Sequence, residues 1–168
     1  MTSTWADIWI ALQEEFAPPG AREATQTCVR LLVAVLLGAL VGYDREKKES
    51  AAGLRTHMLV ALGAALFVIA ALQAGLDRAD LSRVIQGVVA GIGFLGAGAI
   101  IKLNEKEQIK GLTTAASIWA TAAIGVAAGM GHALTAAAST LLALVILAVL
   151  PRVERFIDRR NVVQPPTP

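Results

Sequence analysis

The sequence predicts an all-α membrane protein of five transmembrane helices, N-terminus outside and C-terminus cytoplasmic, packed closely through glycine. Three observations carry that reading. Apolar residues make up 55% of the 168 positions and charged ones only 17%, against about a quarter charged in soluble domains. Mean hydropathy is +0.61, and the apolar residues gather in five runs, each near the ~20 residues that a spanning helix needs. The connecting loops alternate between basic and non-basic.

Residues 1–27 read as an outer-face segment. "TSTWADIWIALQEEF" sets Trp5, Ile8, Trp9, Leu12 and Phe16 at helical spacing with acids opposite. That pattern predicts an amphipathic helix lying in the interface, where tryptophan favours the headgroup zone, and "APPG" ends it. The five-span domain, 28–150, then comprises about 28–43, 57–75, 84–101, 112–130 and 133–150. The first run, "CVRLLVAVLLGALVGY", is short and requires Arg30 to snorkel. Pro151 is expected to stop the fifth. Only helices or closed barrels satisfy the backbone in lipid, and these runs lack the alternation of barrel strands. Residues 151–168 form a basic cytoplasmic tail whose end, "NVVQPPTP", is expected to be disordered.

Orientation follows from Lys and Arg. Before the first span Arg22 stands alone against Asp7, Glu14, Glu15 and Glu23. The first loop carries Arg45, Lys47, Lys48 and Arg55, whereas the second balances Asp77 and Asp80 with Arg78 and Arg83. Lys102, Lys106 and Lys110 mark the third loop, the fourth is uncharged, and Arg152, Arg155, Arg159 and Arg160 follow the last span.

"GIGFLGAG", Gly91 to Gly98, has the G-x-G-x-x-G spacing of a dinucleotide-binding turn. It lies inside an apolar run rather than between a strand and a helix, so the glycines need another role. Gly87, Gly91 and Gly98 share nearly one helix face, with Gly93 and Gly96 beside it. Gly38 and Gly42 repeat the small-xxx-small spacing, and Ser117, Thr121 and Gly125 line one face of the fourth span. Such faces let backbones approach closely in lipid. A sharper rival is that these helices line a path or shift against one another.

The loop "GYDREKKESAAGLRTH" is different in kind. Asp44, Arg45 and Glu46 leave the first span, and Arg55 and His57 open the second. Charges at the hydrocarbon edge are costly unless paired, so an ionic cluster of Asp44, Arg45, Glu46 and Arg55, with His57 beside it, is the candidate functional site. A solvated loop with Lys47, Lys48 and Glu49 in water is the bland alternative. "GLRT" at 53–56 and "GLTT" at 111–114 echo each other, suggesting two parallel hairpin repeats.

A single cysteine, Cys28, excludes an intrachain disulfide and argues against zinc. No nucleophile–base pair or metal-ligand constellation stands out, so neither an enzyme, a resident metal nor a cofactor is expected. Nothing points to nucleic acid. The lipid bilayer is the first partner.

Three ordered motifs, "GYDREKKESAAGLRTHMLVALGAALF", "GIGFLGAGAIIK" and "IKGLTTAASIWATAAIGVAAGMG", resemble the membrane region of the MgtC/SapB family, from about Arg30 to Leu150. The resemblance implies a bacterial inner-membrane protein linked to growth in low magnesium and survival inside macrophages. It also implies action by restraint of the F-type ATP synthase rather than by carrying magnesium. Many members have glutamate at the position of Asp44 and continue into a small soluble C-terminal domain, whereas this sequence ends at Pro168. Two function classes follow. One is a regulatory protein whose small-residue faces dock a membrane partner or a second copy. The other is a small transporter or channel for a cation or other solute. Magnesium needs several oxygen ligands or retained waters, and no acidic residue lies inside a span; Gln73, Gln86, Ser117 and Thr121 are the main polar groups at depth.

Overall fold

A computed structural model describes residues 4–15, 20–103 and 108–161. Over these residues the order is α1 (Thr4–Glu15), α2 (Ala21–Lys47), α3 (Leu54–Gln73), α4 (Arg78–Ala99), β1 (Ile101–Leu103), β2 (Gln108–Lys110), α5 (Leu112–Gly129) and α6 (Ala133–Asn161). Five helices, α2 to α6, are long and apolar enough to cross a membrane. Trp5 and Trp9 on α1 are exposed. Phe16, Lys106 and the tail from Val162 onward lie outside the described residues.

The first span is longer than its apolar run, because Arg22, Glu23 and Gln26 are good helix formers. Its 27 residues reach about 40 Å, longer than the ~30 Å hydrocarbon core. Arg30 finds a partner within the fold: its Nη1 donates to the Gly129 carbonyl oxygen at 3.2 Å. That carbonyl ends α5, where unpaired acceptors and the helix dipole both favour a cation.

α3 and α5 close alike. Gly75 and Gly131 sit at φ +73° and +84°, and the bonds Gly75 N–H to Leu72, Leu76 N–H to Ala71, Gly131 N–H to Ala128 and His132 N–H to Ala127 form two Schellman caps. α4 starts on Asp77, whose Oδ1 accepts from the Asp80 amide at 2.9 Å.

Two of the boundaries that differ from the sequence expectation have a traceable cause. The third span stops at Ala99 rather than 101, and Ile101 pairs opposite Lys110 in an antiparallel hairpin. Gly111, at φ +96°, brings the backbone so near the end of α4 that a Cβ there would strike the Ala99 carbonyl oxygen. The fifth apolar span ends at Pro151 as expected, but its helix does not, because α6 runs through the proline to Asn161. Proline removes one amide donor and so orphans the carbonyl four residues back. That carbonyl, of Leu147, instead accepts from Lys48 Nζ at 2.5 Å. A side chain from the first loop repairs the break.

The core is built around α3. A Cβ added to Gly38 on α2 would come within 2.7 Å of the His57 carbonyl oxygen and 2.8 Å of Ala61 Cβ. One added to Gly42 would meet Leu54 Cα at 2.8 Å. On the opposite side Gly125 abuts the Ala61 backbone, and Gly129 would place a Cβ 2.7 Å from the Ala65 carbonyl oxygen. α3 is thus held between two glycine-bearing helices, with Ala61 and Ala65 fully buried. Ala34, Val41, Ile124, Ala128, Ala136 and Leu147 complete this cluster. α4 lies outside it, and among its described residues only Leu81 and Ile92 are buried.

Candidate functional site

At the α2–α3 loop end, polar groups from three helices converge. Arg45 arrives there by periodicity. Ala34, Gly38, Val41 and Gly42 form the buried stripe of α2, and Arg45 continues it one turn further. Only 8% of Arg45 remains exposed. Its Nη2 donates to Ser50 Oγ at 3.3 Å, while Nε meets no acceptor among the described residues. A buried guanidinium with an unmade bond is expensive.

The turn that delivers Ser50 is strained. α2 ends in a Schellman arrangement, Ser50 N–H to Arg45 O at 3.1 Å and Glu49 N–H to Glu46 O at 3.1 Å. The left-handed position of that cap is filled by Glu49, φ +51°, where glycine is usual. Ser50 Oγ then lies 2.7 Å from Thr114 Oγ1 on the first turn of α5. Arg45, Ser50 and Thr114 tie α2, the loop and α5 together.

His57 makes a second bridge. It is completely buried, with Nδ1 2.8 Å from the Gly53 carbonyl oxygen and Nε2 3.1 Å from Ser117 Oγ. A carbonyl can only accept, so Nδ1 carries a proton and donates to it; in the neutral ring Nε2 accepts from the Ser117 hydroxyl. That hydroxyl also lies 2.8 Å from the Thr114 carbonyl oxygen and can serve one acceptor at a time. Thr121, one turn deeper, returns its hydroxyl to the Ser117 carbonyl at 2.8 Å.

The four charged residues expected to pair with one another do not: three take separate partners and Arg55 is exposed. Asp44 pairs with Lys48 at 2.8 Å. Glu46 Oε2 accepts from the Leu54 amide at 2.8 Å, capping the N-terminus of α3 with a negative charge. Its carboxylate occupies the space a Gly53 side chain would need. Arg55 is exposed, and among the described residues it makes no ion pair. The physical reason is helical geometry: Asp44, Arg45 and Glu46 are consecutive and point about 100° apart. Lys47 lies over the Tyr43 ring, 4.4 Å from its centroid.

The glycines divide too. Gly38, Gly42 and Gly125 stand at close helix contacts, whereas a Cβ at Gly87, Gly91, Gly93 or Gly98 would meet none of the described residues within 4 Å; at Gly96 it would lie 3.7 Å from Ala115 Cβ. The described helices therefore leave most of the α4 glycine face uncovered. "GIGFLGAG" lies wholly within α4, so its amides do not form a phosphate-binding loop. Sequence reasoning missed Ser50, Thr114, Lys48 and Gly129. Pro151 is the one available signal for Lys48, because it announces an orphaned carbonyl.

The model of the MgtC family matches residues 31–156. Protein SrpB of Synechococcus elongatus is 43% identical over 138 residues, 76% of this chain and 76% of that protein. Protein MgtC of Salmonella typhimurium is 44% identical over 116 residues, 69% of this chain but 48% of the relative. An uncharacterized protein of Haemophilus influenzae is 37% identical over 140 residues, 58% of its own length. The chain thus spans about half the length of the Salmonella relative. No solved structure matches.

Proposed function

The chain belongs to the MgtC family, and on that premise we propose that it is a regulatory protein of the bacterial inner membrane. It acts by docking on a membrane partner, without enzymatic chemistry, and serves adaptation to low magnesium. The N-terminus lies outside, which puts the Arg45–His57 site at the cytoplasmic surface; the alternation of basic loops supports this orientation. F-type ATP synthase is the partner that the family resemblance suggests.

The observation that carries a docking role over conduction is the seam of α3. Backbone-to-backbone contact at Gly38, Gly42, Gly125 and Gly129 fills the space between α2, α3 and α5, where a conduit would otherwise run. The buried charge at the mouth of that seam is Arg45, which repels cations. Retaining so costly a group where an apolar side chain would pack is the mark of a functional residue rather than a stabilising one.

The test is growth in low magnesium of a strain lacking the protein. Arg45→Ala should insert at normal abundance and fail to complement, while Lys47→Ala complements. Full complementation by well-inserted Arg45→Ala would remove the functional role of the site. Co-purification from native membranes, with and without Arg45→Ala, tests the partner: ATP synthase subunits should accompany the parent and be lost from the variant.

A further inference from the structure

We propose that the groove between α3 and α4 binds an anionic phospholipid from the leaflet on the α2–α3 loop side. The groove has a volume of about 730 Å³, and its walls include Leu59, Val60 and Phe67 of α3 and Val88, Ile92 and Leu95 of α4. Its floor is opened by glycine: a Cβ at Gly63, Gly87 or Gly91 would meet none of the described residues within 4 Å. Arg55 stands at one end, exposed and, among the described residues, without a carboxylate partner.

Length selects the occupant. From Arg55 to Phe67 the groove follows α3 for about 18 Å at ~1.5 Å per residue. One leaflet contributes roughly 15 Å of hydrocarbon, half of the ~30 Å core. An acyl chain fits from headgroup level to the midplane, whereas a partner's transmembrane helix would need a face along the full thickness. Charge selects the headgroup. A guanidinium engages a phosphate through paired donors, and a basic residue between helices at the membrane edge favours an anionic lipid. The apolar body of the groove calls for a lipid rather than free phosphate. The inference is independent of the regulatory role of Arg45.

Native mass spectrometry of the full chain, released from detergent after incubation with equal phosphatidylglycerol and phosphatidylcholine, tests it. The parent should retain phosphatidylglycerol over phosphatidylcholine by roughly fivefold, the effect expected of one basic residue at an anionic surface. Arg55→Gln should bring the ratio near one. Gly91→Phe, and independently Gly63→Phe, should fill the groove and lower retention of both lipids while the melting temperature holds. The proposal is overturned if the parent shows no preference, if Arg55→Gln keeps it, or if both groove-filling variants retain lipid like the parent. A dimer dispersed by Gly91→Phe would assign the groove to a second copy and overturn it equally.

Discussion

Gly38 and Gly42 on α2 and Gly87 and Gly91 on α4 share a four-residue spacing and have opposite surroundings. The first pair meets α3 at backbone contact, and the second opens onto an apolar groove. What stands opposite makes the difference. α3 offers bare backbone at Leu54 and His57 and the small Ala61 to the α2 glycines, and Leu59, Val60 and Phe67 to the groove. Small side chains admit a neighbouring backbone, while large ones hold it off. Spacing on one helix thus shows that approach is allowed, and the facing helix decides whether it happens.

The largest expected effect comes from filling the closed seam. Gly38→Leu should cost ~3 kcal/mol or more of stability, beyond the usual 1–3 for overpacking, because the obstacle includes backbone of α3. Folded yield in detergent and the urea midpoint of refolding measure it. Gly87→Leu in the same assay should stay within ~0.5 kcal/mol of the parent. Equal losses would mean that α4 also packs tightly in the native protein.

Removing the polar lock at the head of the seam should come next. His57→Ala leaves a buried cavity and strands the Gly53 carbonyl and Ser117 hydroxyl, for a loss of ~2–3 kcal/mol. A parent-like urea midpoint would show that the lock adds nothing to the closed side.

The Lys48–Leu147 link should show as coupling. Pro151→Ala restores an amide to Leu147, so Lys48→Met should cost about 1 kcal/mol less in that background than in the parent. Additive effects would show that Lys48 repairs nothing. Smaller still, Glu49→Gly should stabilise by up to ~1 kcal/mol by relieving the left-handed residue. A destabilised Glu49→Gly would mean that the Glu49 side chain holds the turn.

Much of the fold is legible in the sequence because lipid simplifies it. Apolar length fixes the five spans, and GLRT and GLTT mark the starts of α3 and α5. Their boundaries are less legible: α6 passes Pro151 because of a lysine about a hundred residues away, and no local pattern encodes such a contact. The site is half legible. Arg45 and His57 stand out by charge at a membrane edge, whereas Ser50 and Thr114 are ordinary loop and helix-start residues until the fold sets their hydroxyls 2.7 Å apart. The expected ionic cluster does not form across the loop: Asp44 pairs with Lys48 and Glu46 caps α3, while Arg55 at the far end is exposed.

The most direct measurement of the contrast adds one methyl group on each side. Gly125→Ala and Gly91→Ala should be melted side by side in one detergent. At Gly125 the new Cβ collides with the Ala61 backbone, so the melting temperature should fall. At Gly91 it enters open space, and alanine's higher helix propensity, up to ~1 kcal/mol, should raise it slightly. Shifts of opposite sign support a closed α3 seam beside an open α4 groove, and shifts of the same sign contradict it.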